Sequence, residues 1–206
     1  MEKKKFVKEY LEPIVIAVLI ALFIRAFVVQ AFKIPSSSME PTLLVGDYLL
    51  VNKFIYGIRI PHTDIKFFQY RKPERGDVIV FIYPKDPSKD FIKRVIGTEG
   101  EKVEIIQNKI FINDRLIDDP WGHFQTGGLP EYYLQAIENF GPVVVPKDSL
   151  FVLGDNRDNS QDGRFWGFLQ VNAVLGKAFI LYFSLDRNTE NLLHIVRWSR
   201  IVKLIH

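Results

Sequence analysis

Two short stretches of this 206-residue sequence carry side chains that could supply a nucleophile and a base. The first is Ile34-Pro35-Ser36-Ser37-Ser38-Met39-Glu40-Pro41-Thr42, a serine run held between two prolines. Each proline fixes its own φ and biases the residue before it toward extended backbone. Such a segment can present a hydroxyl and a neighbouring backbone N–H in fixed directions. The second is Asp90-Phe91-Ile92-Lys93-Arg94-Val95-Ile96-Gly97, where strand alternation sets Phe91, Lys93 and Val95 on one face. That puts an amine among apolar groups. Burial disfavours the ammonium and lowers a lysine pKa, as a lysine general base requires. Moving it from about 10.4 to about 8 takes roughly 3 kcal/mol of differential solvation. Arg94 faces the other way and stays protonated, so it is excluded as the base. Blander readings stay open from these residues alone: a Ser/Pro linker, and a strand lysine whose stem covers apolar surface while its head reaches water.

Other chemistries find less support. There is no G-x-S-x-G elbow, and no serine is followed three residues later by lysine. A Ser-His-Asp triad is defined by geometry rather than spacing and stays open, although His62, His123, His194 and His206 are scattered. Cysteine is absent and no H-E-x-x-H occurs, so no metal site and no cofactor are expected. The net charge of +3 comes from 27 Lys and Arg spread among 24 Asp and Glu rather than gathered in one block, and no nucleic-acid partner is expected.

The elements that must hold these residues begin with an apolar run. From Ile14 to Phe32 only Arg25 and Gln30 interrupt it, close to the roughly 20 residues a membrane-spanning helix needs. A central arginine would cost about 2.5–3.5 kcal/mol, which shifts the expected hydrocarbon segment to about Phe6–Ile24 and leaves Arg25 at the interface. Lys3, Lys4, Lys5 and Lys8 predict a cytoplasmic N-terminus, an anchor over residues 1–32 and an extracytoplasmic domain over 33–206. A cleaved secretory signal and a buried soluble helix compete with that reading.

Beyond the run, 48% hydrophobic and 25% charged residues fit a folded domain rather than a disordered one. Short strands are predicted at Tyr48–Val51, Val78–Tyr83, Phe91–Ile96, Val103–Ile106, Lys109–Ile112, Val143–Val145 and Leu150–Leu153, with Gly and Asp at their edges. This is the pattern of a mainly β, antiparallel, barrel-like domain. Gln107-Asn108 reads as a hairpin turn. Residues 117–145 read as an inserted cap. The stretch Leu192–His206 mixes apolar side chains with Arg197, Arg200 and Lys203, and fits either an anionic lipid surface or a last core-packing element.

Together these segments resemble the sequence boxes of type I signal peptidases. The match runs through Ile34–Gly46, Arg75-Gly76-Asp77-Val78-Ile79-Val80-Phe81, Asp90–Gly97 and Gly154-Asp155-Asn156-Arg157-Asp158-Asn159-Ser160-x-Asp162-x-Arg164, in the family's order and after an anchor. The resemblance implies a mainly β signal-peptidase fold with one N-terminal transmembrane helix. It implies Ser38 as nucleophile, Lys93 as general base, and the Ser38 N–H with the Ser36 hydroxyl as oxyanion donors. Ser160 would hydrogen-bond the Lys93 amine, Asp162 and Arg164 would form a supporting ion pair, and Phe91, Ile92 and Met39 would border the substrate. The family often has Gly where this chain has Ser37, and commonly Ser where it has Gly163. The implied substrates are secreted preproteins with small residues at −3 and −1, bound extended beside the catalytic strand at the cell membrane, with lipid as the other partner. A self-cleaving repressor-type peptidase shares the Ser/Lys chemistry but would lack the span and carry a DNA-binding domain. An inactive membrane-tethered β-domain would have no need to keep Ser38, Lys93 and Ser160 together.

Overall fold

The computed structural model describes residues 7–59, 66–67, 70–124, 137–186, 189 and 195–206. A π-helical turn, Val7–Leu11, runs into helix α1, Glu12–Phe27, which has Pro13 in its first turn. Proline is tolerated there because that N–H has no intrahelical partner. The helix is 16 residues long, and no helix among the described residues is long and apolar enough to cross a membrane. The apolar run is therefore divided: its last residues, Val29–Phe32, are not helix but part of strand β1, Val29–Lys33, pinned to β2, Asp47–Asn52, in antiparallel register from Val29–Asn52 to Lys33–Tyr48. The helix ends at Phe27, beyond the expected hydrocarbon segment of about Phe6–Ile24 and just ahead of this pairing.

The remaining strands are β3 (Ile58–Arg59), β4 (Lys66–Phe67), β5 (Val78–Ile82), β6 (Asp90–Thr98), β7 (Lys102–Ile106), β8 (Lys109–Ile112), β9 (Arg115–Leu116), β10 (Phe140–Val144), β11 (Ser149–Leu153), β12 (Leu169–Gln170), β13 (Val174–Ser184) and β14 (Lys203–Leu204). An eight-stranded antiparallel sheet has the order β1-β2-β13-β5-β6-β11-β12, with β14 also on β13. A four-stranded sheet, β10-β7-β8-β9, packs on its β6–β11 end. Among the described residues nothing pairs β1 with β12, so the large sheet is open rather than barrel-like. The two residues of β12 are too few to close along the five of β1.

Three apolar clusters hold this arrangement. Ile34, Met39, Leu43, Leu49 and Val51 pack with Val78, Val80 and Leu181 on one face of the large sheet. Ile79, Phe81, Val95, Val152 and Val174 pack on the other, and Ile96, Val103, Ile112, Phe151 and Leu153 fill the join between the sheets. Each such side chain contributes about 1.5–3 kcal/mol of transfer free energy. The predicted hairpin is present: Gln107 and Asn108 both have positive φ, 48° and 66°, as a tight primed turn demands. Residues 125–136 of the expected cap over 117–145 lie outside the described residues. At the end of that range β10 pairs with β7 in the four-stranded sheet. Of the C-terminal stretch, β14 pairs with β13 and Ile205 is buried in the first cluster, while Trp198 and Val202 are exposed.

Candidate active site

The serine run leaves the end of β1, and its course is set by the pairing of Ile34 with the β2 side: Ile34 N donates to Asp47 O at 2.8 Å and Gly46 N to Ile34 O at 3.0 Å. Strand β6 carries Lys93 toward the same place, with Ile79 of β5 as its cross-strand neighbour. Residues separated by 55 positions thus meet, and Lys93 Nζ donates to Ser38 Oγ at 2.8 Å. Its second contact is Ile92 O, at 3.0 Å. Both groups are nearly removed from solvent, Ser38 at 8% exposure and Lys93 at 3%. The Phe91 ring lies 5.3 Å from the amine and Val95 is fully buried, so the predicted apolar setting is present.

Desolvation pushes the Lys93 ammonium down to about 8, against the weaker pull of Asp162 and Asp155, which favour the charged form. Each of those carboxylates is already neutralised. Asp162 pairs with Arg164 at 2.9 Å, both side chains buried. Asp155 takes a bidentate pair from Arg94, Nε to Oδ1 at 2.8 Å and Nη2 to Oδ2 at 2.7 Å. The lysine therefore sits near two acids without an ion pair to either.

Behind the serines lies the segment Gly154–Asp162, between β11 and a short helix α2, Gly163–Trp166, which Asp162 caps. Asn156 N donates to Ser38 O at 3.1 Å and Asn156 Nδ2 to Ser37 O at 3.2 Å. Asn159 Nδ2 donates to Ser37 Oγ at 2.9 Å, so the hydroxyl that this chain has at position 37 is engaged. Gly154 is required by close approach: a Cβ there would stand 2.4 Å from Ser38 O and 2.2 Å from Ser160 Oγ. The segment is held from outside by Arg157, whose guanidinium is bidentate on Asp119, and by His123, whose N donates to Asp155 O at 2.7 Å and whose O accepts from Arg157 N at 2.9 Å.

A cleft of about 310 Å³ opens on Ser38 and Lys93, lined by Pro35 to Ser38, Asp90 to Ile92, Asn159 and Gln161. Ser36 is exposed in it. Such an arrangement can attack a carbonyl: a hydroxyl, an amine depressed into the working pH range, and an N–H on Ser38 that no hydrogen bond among the described residues occupies.

The signal peptidase family, peptidase S26, matches residues 7–183. The chain belongs to that family. It is a serine peptidase, a hydrolase. It is 37% identical over 230 aligned residues to signal peptidase I of Pseudomonas fluorescens, covering 98% of this chain and 80% of that protein. It is 38% identical over 179 residues to the probable signal peptidase I-2 of a Synechocystis species, covering 84% of this chain and 72% of that one. A solved signal peptidase I from Enterococcus faecalis is 30% identical, with a TM-score of 0.43, over 52% of this chain and 97% of that chain.

Two residues do not do what the family resemblance implies. Ser160 is buried close to the pair, but its Oγ has no hydrogen-bond partner among the described residues. Packed against Gly154, it leaves the Lys93 amine to Ile92 O. Met39 is fully buried in the first core cluster and is not part of the cleft lining, because it points under the serine run and not into the cleft. Phe91 and Ile92 do line it. Residue-level reasoning passed over Asn156, Asn159, Asp155 with Arg94, and Asp119. The only signal for the first four was their place in conspicuous sequence boxes; Asp119 had none.

Proposed function

We propose that this protein is a membrane-bound endopeptidase that removes N-terminal signal peptides from secreted preproteins after small residues at −3 and −1. The observation that carries the reading is the 2.8 Å contact between a buried Lys93 amine, pushed down to about 8, and the Ser38 hydroxyl, inside a cleft of about 310 Å³.

Lys93 is neutral in roughly a tenth of molecules at pH 7 if its pKa is near 8. In that form its lone pair accepts the Ser38 proton as Oγ bonds to the scissile carbonyl carbon. The resulting oxyanion takes the Ser38 N–H and the Ser36 hydroxyl, donors whose individual loss typically costs about 10²–10³-fold. Collapse breaks the C–N bond, and the Lys93 ammonium returns its proton to the departing amine. An ester on Ser38 remains. Water, deprotonated by Lys93, then releases the signal peptide with a new carboxylate and restores the serine. Asp162 and Arg164 support the site from beneath. Phe91 and Ile92 border the acyl side of the substrate, where shallow apolar walls favour small side chains.

Membrane attachment is supported by α1, whose Ile14, Val15, Ile16, Val18, Leu19, Ile20, Leu22, Phe23 and Ile24 are exposed on all sides. A helix apolar all round needs a cover, and lipid supplies one. With Lys3, Lys4, Lys5 and Lys8 before it, the N-terminus is cytoplasmic and residues 33–206 act outside, beside the membrane-held apolar segment of a preprotein.

The test is mass spectrometry of a preprotein incubated with the detergent-solubilised enzyme. Cleavage after an Ala-x-Ala sequence, absent with Ser38→Ala, supports the reading, whereas an intact preprotein or a cut elsewhere overturns it.

A further inference from the structure

Asn156 contacts two consecutive carbonyls: its backbone N–H reaches Ser38 O at 3.1 Å and its side-chain amide reaches Ser37 O at 3.2 Å. Those carbonyls belong to the two peptide groups that flank the nucleophile. The Ser37–Ser38 peptide is trans, and in a planar trans peptide the C=O and N–H point in opposite directions. Fixing Ser37 O from behind therefore aims the Ser38 N–H the other way. That N–H is the proposed oxyanion donor, and its worth depends on being preorganised before charge develops.

The side chain is committed to this contact. Asn156 is fully buried, and its Oδ1 has no hydrogen-bond partner among the described residues. A buried acceptor left unpaired is costly and calls for a reason. Here the amide engages through Nδ2 alone, and its partner is Ser37 O. Asn159 adds a hold on the same residue through Ser37 Oγ at 2.9 Å. Arg157, bidentate on Asp119, and His123 brace the segment that carries both asparagines.

We infer that Asn156, assisted by Asn159 through Ser37, is the positioning residue that aims the oxyanion donor by clamping the peptide groups on either side of Ser38. The inference rests on the peptidase reading above. Neither asparagine hydrogen-bonds Lys93, whose amine donates to Ser38 Oγ and Ile92 O.

The experiment compares wild type with Asn156→Leu, which keeps the approximate volume and removes the donor facing Ser37 O without adding a charge near Lys93, in cleavage of an Ala-x-Ala peptide. The expected result is a fall in kcat of about 10- to 100-fold, with KM and the midpoint of the rate–pH profile unchanged. Inhibition by a peptide aldehyde, whose adduct oxygen takes the same donor, should weaken in parallel. A kcat within twofold of wild type, or a loss confined to KM, overturns the inference. If Asn156→Leu does not fold, Ser37→Ala and Asn159→Ala carry the test. Each should lower kcat about threefold and the double variant no further, since both remove one hydrogen bond. Additive or absent effects overturn it. Wild type that leaves the peptide uncut would instead defeat the peptidase reading itself.

Discussion

Lys93 and Arg94 are neighbours on β6, both buried, and they meet burial in opposite ways. Arg94 is partnered on every side: Asp155 takes two of its N–H groups, Gly76 O and His206 O take others at 2.8 Å each, and the Trp121 ring lies 4.5 Å away. Lys93 has only a hydroxyl and a carbonyl. The acids near it are already taken by arginines. A buried cation with a dedicated carboxylate is a structural pin; one without becomes a base. The strand supplies one of each by alternating faces.

The largest test of this contrast is on activity. Ser38→Ala and Lys93→Ala should each lower cleavage at least about 10³-fold with an unchanged circular dichroism spectrum. Residual activity above a tenth in Lys93→Ala would remove the lysine from the chemistry. Arg94→Met should instead act on the fold. It strands Asp155 in the interior and is expected to cost about 3–5 kcal/mol in denaturant unfolding. In whatever enzyme still folds, the unneutralised Asp155 should move the rate–pH midpoint upward.

Lys93→Met should do the reverse. A lysine held near 8 when folded and about 10.4 when unfolded burdens the native state by about 3 kcal/mol at pH 7. The unfolded chain binds more protons between those values, so stability rises with pH there, and the burden is complete below about pH 8. Lys93→Met should be more stable than wild type by up to that amount at pH 7, with the gain gone above about pH 10.5. Equal stability of the two proteins from pH 6 to 11 would mean the amine is not desolvated. The smallest effect is kinetic: kcat/KM should climb about tenfold per pH unit below 8 and level off above it. A profile flat from pH 6 to 10 would deny Lys93 its role.

Much of the site was legible along the chain. The proline-bounded serines and the alternating Phe91, Lys93, Val95 face were visible as local patterns, and the strands that carry them fall within a residue or two of their predicted places. Strand β13, the longest of all with 11 residues, escaped notice. Its register shifts between Val174 and Gly176, Ala178 and Ile180, and Leu181 and Phe183. Bulges of that kind break the period-two pattern from which strands are read. Strand β1 was hidden for another reason: its Val29, Ala31 and Phe32 prolong the apolar run of α1, and hydropathy does not distinguish the two.

By itself the sequence determined the reactive groups, the strands that carry them and the family, because these are written in residues close together in the chain. Tertiary structure decided how those groups are used. That Lys93 is pushed down to about 8 depends on its desolvation and on nearby acids that already pair with arginines. The Ser37 carbonyl behind the Ser38 N–H is held by Glu40 N close by and by Asn156, more than a hundred residues away. Hydrogen bonding and desolvation act through space over a few ångströms, and only the folded chain brings those partners within reach.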